Sequence, residues 1–221
     1  MAAARRYPDA MPPAINIVRA ATRDDAAIAV TTLARAFDAD PPLNWLIRRD
    51  AERPVALRRF FELTFERLTF PFGCVEISED LSGVALWTPP GRWKLNPLRE
   101  LLLLPHFWPV FDKKRLRAVW SALQVLSRAH PKEPHYYLFA LGVDPARQGQ
   151  GIGAALLRSR LDRCDAEGAP SYLEASTEGS MRLYSRWGFV ARPPLRLGAD
   201  APPIWPMWRP PRPPERRTPR R

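Results

Sequence analysis

At 221 residues, with 46% hydrophobic content and 10% aromatic residues, the chain can bury a core of its own and is not disordered throughout. Its 26 prolines must largely lie outside regular helix and strand. The formal net charge is +11, but the last thirteen residues hold six arginines against Glu215, so +5 of the excess belongs to that stretch and nucleic acid is not expected as a partner.

Residues 1–14 are small, charged and proline-bearing and read as a flexible arm. They lack an apolar run of signal-peptide length. The leucines at 101–104 stop at Pro105, too soon to span a bilayer, so no membrane span is expected. Cys74 and Cys164 belong to no C-x-x-C pattern, which indicates neither a disulfide framework nor a zinc site, and no metal is expected. The protein reads as cytoplasmic.

The first strand is expected over 15–20, followed by a helix with Thr22 at its N-cap, Asp24 and Asp25 in its first turn, and Val30, Leu33, Ala34 and Phe37 as its apolar stripe. Prolines 41 and 42 interrupt that helix, and an aromatic-bearing connection resumes near Leu43. Helical spacing of Leu57, Phe60, Phe61, Phe65 and Leu68 predicts a second helix over 54–70. Strands over 75–78 and 83–88 form a hairpin around Glu79-Asp80-Leu81-Ser82. Residues 91–112, rich in leucine and aromatics but broken by prolines, predict short helical turns beside a cleft, and a helix over 113–130 follows. Past the central stretch, a strand over 171–175, a helix over 180–187, and strands over 189–192 and 203–208 complete the pattern. A Pro/Arg-rich tail is expected from 209 to 221.

The most informative stretch runs from Tyr136 to Arg163. The apolar run Tyr136–Val143 reads as a buried strand, Asp144-Pro145 as a turn, and Ala154, Leu156, Leu157 and Leu161 as the apolar face of a helix. Between them stand Gly149, Gly151 and Gly153. Glycines remove the Cβ atoms that would keep a ligand at a distance, so backbone amides at a helix start can converge on a phosphate. A P-loop would need Lys-Ser/Thr after the last glycine, where Ala154-Ala155 stand, and the dinucleotide fingerprint lacks its acidic residue and its early position.

Gln148-x-x-Gly151-x-Gly153, preceded by Leu141-Gly142-Val143-Asp144-Pro145, resembles the acetyl-coenzyme A signature of the GNAT N-acetyltransferases. Together with Val84-Ala-Leu-Trp-Thr, Tyr172-Leu-Glu-Ala-Ser and Tyr184-Ser-Arg-Trp-Gly-Phe, the chain is similar over roughly residues 15–208 to the branch that includes puromycin N-acetyltransferase. The resemblance implies one α/β (α+β) domain over 15–208, with a mixed, mostly antiparallel sheet of six to seven strands and helices on both faces. It also implies acetyl-coenzyme A as cosubstrate, held by Leu141, Gly142 and Val143 along the pantetheine arm, by the loop Gln148, Gly149, Gln150, Gly151, Ile152, Gly153 and Ala154 around the pyrophosphate, and by Ser180 where the branch usually has asparagine. Tyr184 corresponds to the tyrosine near the thioester sulfur, an acid for the leaving thiolate.

An attacking amine must first lose a proton, and Glu174 in the strand after the motif helix is the first choice of base, ahead of His130 and His135. Phe37, Trp45 and Trp87, with Trp93 and Trp108, offer aromatic surface for an acceptor. The expected reaction is acetyl transfer to a primary amine of a small molecule by a monomer or homodimer. A protein or peptide N-acetyltransferase and a non-catalytic acyl-coenzyme A-binding regulatory module are the alternatives.

Overall fold

The computed structural model describes residues 17–94 and 97–212; the arm expected at 1–14, and residues 213–221 of the expected tail, lie outside the described residues. In chain order the first half comprises β1 (Val18–Ala20), α1 (Ala26–Ala36), α2 (Pro41–Leu46), α3 (Arg53–Leu63), β2 (Val75–Ser78), β3 (Gly83–Thr88), α4 (Pro97–Phe107) and α5 (Leu116–Ala129). The second half comprises β4 (Tyr136–Val143), α6 (Ile152–Ala166), β5 (Ser171–Ala175), α7 (Glu178–Arg186), β6 (Val190–Ala191), β7 (Leu195–Arg196) and β8 (Pro203–Arg209).

Eight strands make a mixed sheet in the order β1-β2-β3-β4-β5-β8-β6, with β7 also paired to β8. Among the described residues only β4 and β5 run parallel; the other pairs are antiparallel. The strand count exceeds six to seven because the return from Phe189 is cut by Pro193 and Pro194 into two short strands, both bonded to β8.

Alternation along the strands divides the core into two layers. Ala85 and Trp87 of β3 face α6 and α7, while Val84 and Leu86 face α1 and α3. On β4, Tyr136 and Leu138 join the first layer, yet so does Leu141, an odd position. The register explains it: Trp87 pairs with Leu138 and Leu86 with Ala140, so Phe139 is an extra residue in a β-bulge. Such a bulge resets which side chains face each layer and bends the strand.

Several elements differ locally from the sequence expectation. Thr22 does not cap α1. It donates from its backbone N–H (2.7 Å) and its hydroxyl (2.8 Å) to Asp25, which also receives a two-pronged Arg19 guanidinium at 2.7 and 2.8 Å, and the helix starts at Ala26. Hydrogen bonds from Arg19, opposed by burial, hold the Asp25 carboxyl well below the usual carboxylate range. The leucine-rich segment forms one 11-residue helix, α4, rather than separate turns. Pro105 lies inside it, two residues before the helix ends, so it removes a backbone donor only from the last turn.

The expected tail boundary also shifts. Arg209 is the last residue of β8 and fully buried, with Nη1 and Nη2 on the Asp165 carboxylate at 2.7 and 2.6 Å and Nε on the Trp187 carbonyl at 2.9 Å. A buried carboxylate–guanidinium fork satisfies groups that would otherwise be stranded, so removing one partner is costly. Arg209→Ala is expected to destabilise the protein by about 3–5 kcal/mol in urea unfolding at neutral pH. A loss below about 1 kcal/mol would mean that this pair does not secure the sheet edge.

Candidate active site

β4 and β5 pair only over Tyr136–Leu138 with Ser171–Leu173. Beyond that, β4 continues to Val143 and β5 to Ala175 without pairing to each other, and the bulge at Phe139 stands at the point of divergence. From Phe139 onward, the side of β4 turned toward β5 therefore has no strand partner among the described residues, leaving main-chain groups for an extended ligand.

β4 runs directly into the glycine loop. The Asp144 carboxylate accepts from the Ala146 amide at 3.0 Å, which closes the turn, and Gln148 Nε2 donates to the Val143 carbonyl at 3.2 Å. Gly149 and Gly151 both adopt left-handed conformations, with φ of 78° and 82°. Gly151 is the N-cap of α6 and no side chain caps that end, so the first amides of a 15-residue helix face outward unmatched. A Cβ at Gly149 would meet nothing within 4 Å: its φ demands glycine, and the space beside it is open. Uncapped amides next to an open cradle fit the diphosphate of a coenzyme A.

A cavity of about 560 Å³ lies beside the divergence. Tyr137, Phe139 and Glu174 form its floor, with Phe60, Phe107 and Trp93 at its sides and Leu101, Leu104, Trp120 and Leu123 of α4 and α5 above. Phe139 and Glu174 are the first positions on each strand past the last β4–β5 pair, Leu138 with Leu173, so cavity and cleft meet there. Glu174 is the one carboxylate among the lining residues. Burial, and then the Glu174 carboxylate, push the Tyr137 and Tyr172 phenols well up, so both stay protonated beside it.

A sequence profile described as the Acetyltransferase (GNAT) family matches residues 32–189, which include β2 to α7 with the divergent strands and the glycine loop. The chain belongs to the GNAT acetyltransferases. It is an acyltransferase whose chemistry is acetyl transfer, and the family uses acetyl-coenzyme A as cosubstrate. An uncharacterised N-acetyltransferase of Schizosaccharomyces pombe is 26% identical over 193 residues, 78% of this chain and 73% of that protein. The N-alpha-acetyltransferase RimI of Mycobacterium tuberculosis is 42% identical over 72 residues, 32% of this chain and 43% of that protein. A solved Corynebacterium glutamicum structure, described as histone acetyltransferase HPA2 and related acetyltransferase, superposes with a TM-score of 0.70 at 29% identity, covering 91% of this chain and 99% of that one.

The residues singled out in this GNAT chain fall into distinct groups. Leu141 and Val143 lie on the stretch of β4 that pairs with β3 but has parted from β5, and Gln148, Gly149, Gln150 and Gly151 form the loop. Gly153 and Ala154 occupy the first turn of α6, where Ile152 contributes its amide while its side chain is buried in the core. Gly142 serves packing: a Cβ there would stand 2.9 Å from the Ala36 Cβ and 3.0 Å from Leu33 Cδ2, so α1 approaches β4 only because the residue is glycine. Ser180 is engaged in a capping box, its Oγ accepting from the Thr177 amide at 3.1 Å while Thr177 Oγ1 accepts from the Ser180 amide at 3.1 Å.

Tyr184 is buried on α7 with its ring edge-on to Phe189 at 5.9 Å. Burial, and then the Asp40 carboxylate, raise its pKa, so the phenol keeps its proton. Asp40 escaped the sequence reading. It caps α2, accepting from the Leu43 amide at 3.0 Å, and burial, opposed by the Ser176 hydroxyl, raises its carboxyl. The signal available was Asp40 standing before Pro41 at a helix start.

The expected acceptor aromatics divide. Trp93 lines the cavity, but Trp87 is fully buried in the core and Phe37 packs on Phe61 at 5.2 Å. Trp45 donates to Asp200 at 3.0 Å and lines a separate, open depression instead. None of Phe37, Trp45 and Trp87 lines the cavity over Glu174, because each points into the packing between helices or between helix and sheet.

Gly149→Ala is expected to raise KM for acetyl-coenzyme A about tenfold, equal to about 1.4 kcal/mol of binding, because a methyl group would enter the open cradle. It should lower fold stability by only about 1 kcal/mol, for the strained φ. Steady-state kinetics and thermal unfolding on the same preparation check both values, and an unchanged KM would remove the loop from cosubstrate binding.

Proposed function

We propose that the protein transfers the acetyl group of acetyl-coenzyme A to a primary amine carried on a small apolar or aromatic molecule. The observation that carries this reading is the cavity over Glu174: apolar and aromatic over most of its lining, with Glu174 as its carboxylate and Arg92 and Lys94 also on its wall, and meeting the stretch of β4 that has parted from β5, where the donor thioester would lie. An apolar lining favours an apolar body, and a lone carboxylate favours the ammonium at its end. The divergent strands, the uncapped α6 start and the open loop support acetyl-coenzyme A as the donor. Two buried free thiols, Cys74 and Cys164, support a reducing, cytoplasmic location.

In this reading Leu141 and Val143 orient the acetyl and pantetheine groups through main-chain contacts, while the loop from Gln148 to Ala154 takes the diphosphate. Glu174 anchors the ammonium, which with a pKa of roughly 10 must lose a proton before nitrogen can attack. Nitrogen bonds to the carbonyl carbon, the carbon–sulfur bond breaks, and sulfur leaves with the electron pair. Tyr184, kept neutral by burial and by Asp40, supplies the proton that sulfur takes. The roof made by α4 and α5 over the cavity favours a small molecule over a peptide chain.

The test is release of free thiol from acetyl-coenzyme A with a panel of amines: 2-phenylethylamine, puromycin, alkylamines, polyamines and short peptides. Release with small apolar amines supports the proposal, release with peptides alone overturns its acceptor class, and cofactor binding without release for any acceptor points to a binding module. Tyr184→Phe is expected to lower kcat about 10²-fold with little change in acetyl-coenzyme A affinity. A change below about threefold would remove Tyr184 from the mechanism.

A further inference from the structure

His130, which lines the cavity, is hydrogen-bonded to a second histidine whose hydrogen is directed by a carbonyl. His130 follows the last residue of α5, and His135 precedes β4; both are buried. His135 Nδ1 lies 2.6 Å from the Glu133 carbonyl oxygen. A carbonyl can only accept, so Nδ1 carries the hydrogen, and in a neutral imidazole Nε2 then holds a lone pair. His130 Nε2 lies 3.0 Å from that lone pair. It must therefore carry a hydrogen, which in the neutral His130 imidazole leaves Nδ1 bare. That atom lies 3.7 Å from Glu174 Oε1, and His130 lines the cavity.

We propose that His130 Nδ1 is the base that deprotonates the acceptor ammonium, that Glu174 holds first the ammonium and then the imidazolium, and that His135 is a positioning residue that fixes the His130 tautomer. This rests on the amine-acetylation reading above. Burial holds the His135 imidazole below its ordinary value of 6.5, which keeps it a neutral acceptor at neutral pH.

The groups around His130 suit the role. The Trp93 ring stacks on the imidazole with centroids 3.6 Å apart, and an aromatic face stabilises a cation. Tyr137 from β4 and Tyr172 from β5 meet it edge-on at 4.8 and 4.7 Å. Glu174 faces its Nδ1, His135 its other nitrogen, and Arg92 and Lys94 line the same cavity.

The protons balance. The ammonium gives one to His130 Nδ1, nitrogen attacks, and the carbon–sulfur bond breaks. The next proton leaves nitrogen, made acidic by its bond to carbon, and replaces the one Tyr184 passes to sulfur. Amide, free thiol and one proton result. The histidine chain does not conduct that proton onward, because the Glu133 carbonyl has no means to take the hydrogen from His135 Nδ1. Imidazolium instead returns it to water through the cavity.

The test combines a tautomer readout that needs no turnover with pH profiles. Long-range proton–nitrogen NMR on the uniformly labelled protein at pH 8 is expected to find His130 as the Nε2–H tautomer and His135 as the Nδ1–H tautomer. With 2-phenylethylamine, or whichever panel amine releases thiol fastest, kcat/KM should rise with pH through one ionisation, because imidazolium cannot take a proton. His130→Gln should lower kcat by about 10²-fold or more and abolish that limb, with acetyl-coenzyme A affinity and thermal unfolding close to those of the parent. His135→Leu should lower kcat about tenfold by freeing the tautomer, and His135→Gln, which restores an acceptor opposite His130 Nε2, should recover most of it. The inference is overturned if His130 is the Nδ1–H tautomer, if His130→Gln keeps more than a third of kcat, or if Asp40→Asn alone removes the acidic limb, which would place the base beside Tyr184. The expected tautomers with no thiol release from any amine would instead overturn the amine-acetylation reading, and the base role with it.

Discussion

The structure depends on two strands that start together and part. β4 and β5 share three residue pairs and then separate, and every group in the candidate site is arranged around that separation. A parallel pair held along its length would consume the main-chain groups from Phe139 to Val143 in a ladder. The bulge at Phe139 prevents this by bending β4 and by resetting which side chains face each layer. Tyr137 and Phe139 thereby face the cavity, while Leu138 and Leu141 stay in the core beneath α6.

Opposed to the open end stands a set of groups whose charge states are set by burial. The phenols of Tyr137, Tyr172 and Tyr184 are all pushed up, first by burial and then by a nearby carboxylate: Glu174 for the first two, Asp40 for the third. Each carboxylate thus sits beside a phenol that keeps its proton. Such burial keeps these phenols as neutral donors at neutral pH. The two sets also lie apart, with Glu174 and His130 lining the cavity and Tyr184 on α7.

The framework that holds these groups is polar at several hidden points. Arg209 anchors β8 to Asp165 of α6 and to the end of α7, and the Thr177–Ser180 box starts α7 so that Tyr184 projects from its second turn. Ser180 illustrates a competition: a side chain that satisfies a helix start is not free to reach a ligand at the same time. Gly142 shows the same economy on the opposite face, where the missing Cβ admits α1.

Much of this was legible in the sequence, for physical reasons. Tyr136–Val143, Val75–Ser78, Gly83–Thr88 and Ser171–Ala175 were bounded by turn residues that end strands, so their limits match the structure. The glycine loop and its family were legible because backbone conformation and anion binding demand glycine at fixed positions. The strand separation was not, since pairing is a property of two segments and neither Leu138 nor Leu173 marks where it stops. Nor did residue type separate cavity aromatics from core aromatics: Trp87 and Trp93 are six residues apart, one fully buried in the core and the other stacked on His130. Sequence alone determined the central strands and the glycine loop, because those follow from local backbone demands, and it carried the resemblance that implied the reaction class. Which carboxylate meets which phenol, and which histidine meets which, only the tertiary structure decided, because burial and hydrogen-bond partners exist only once distant segments have met.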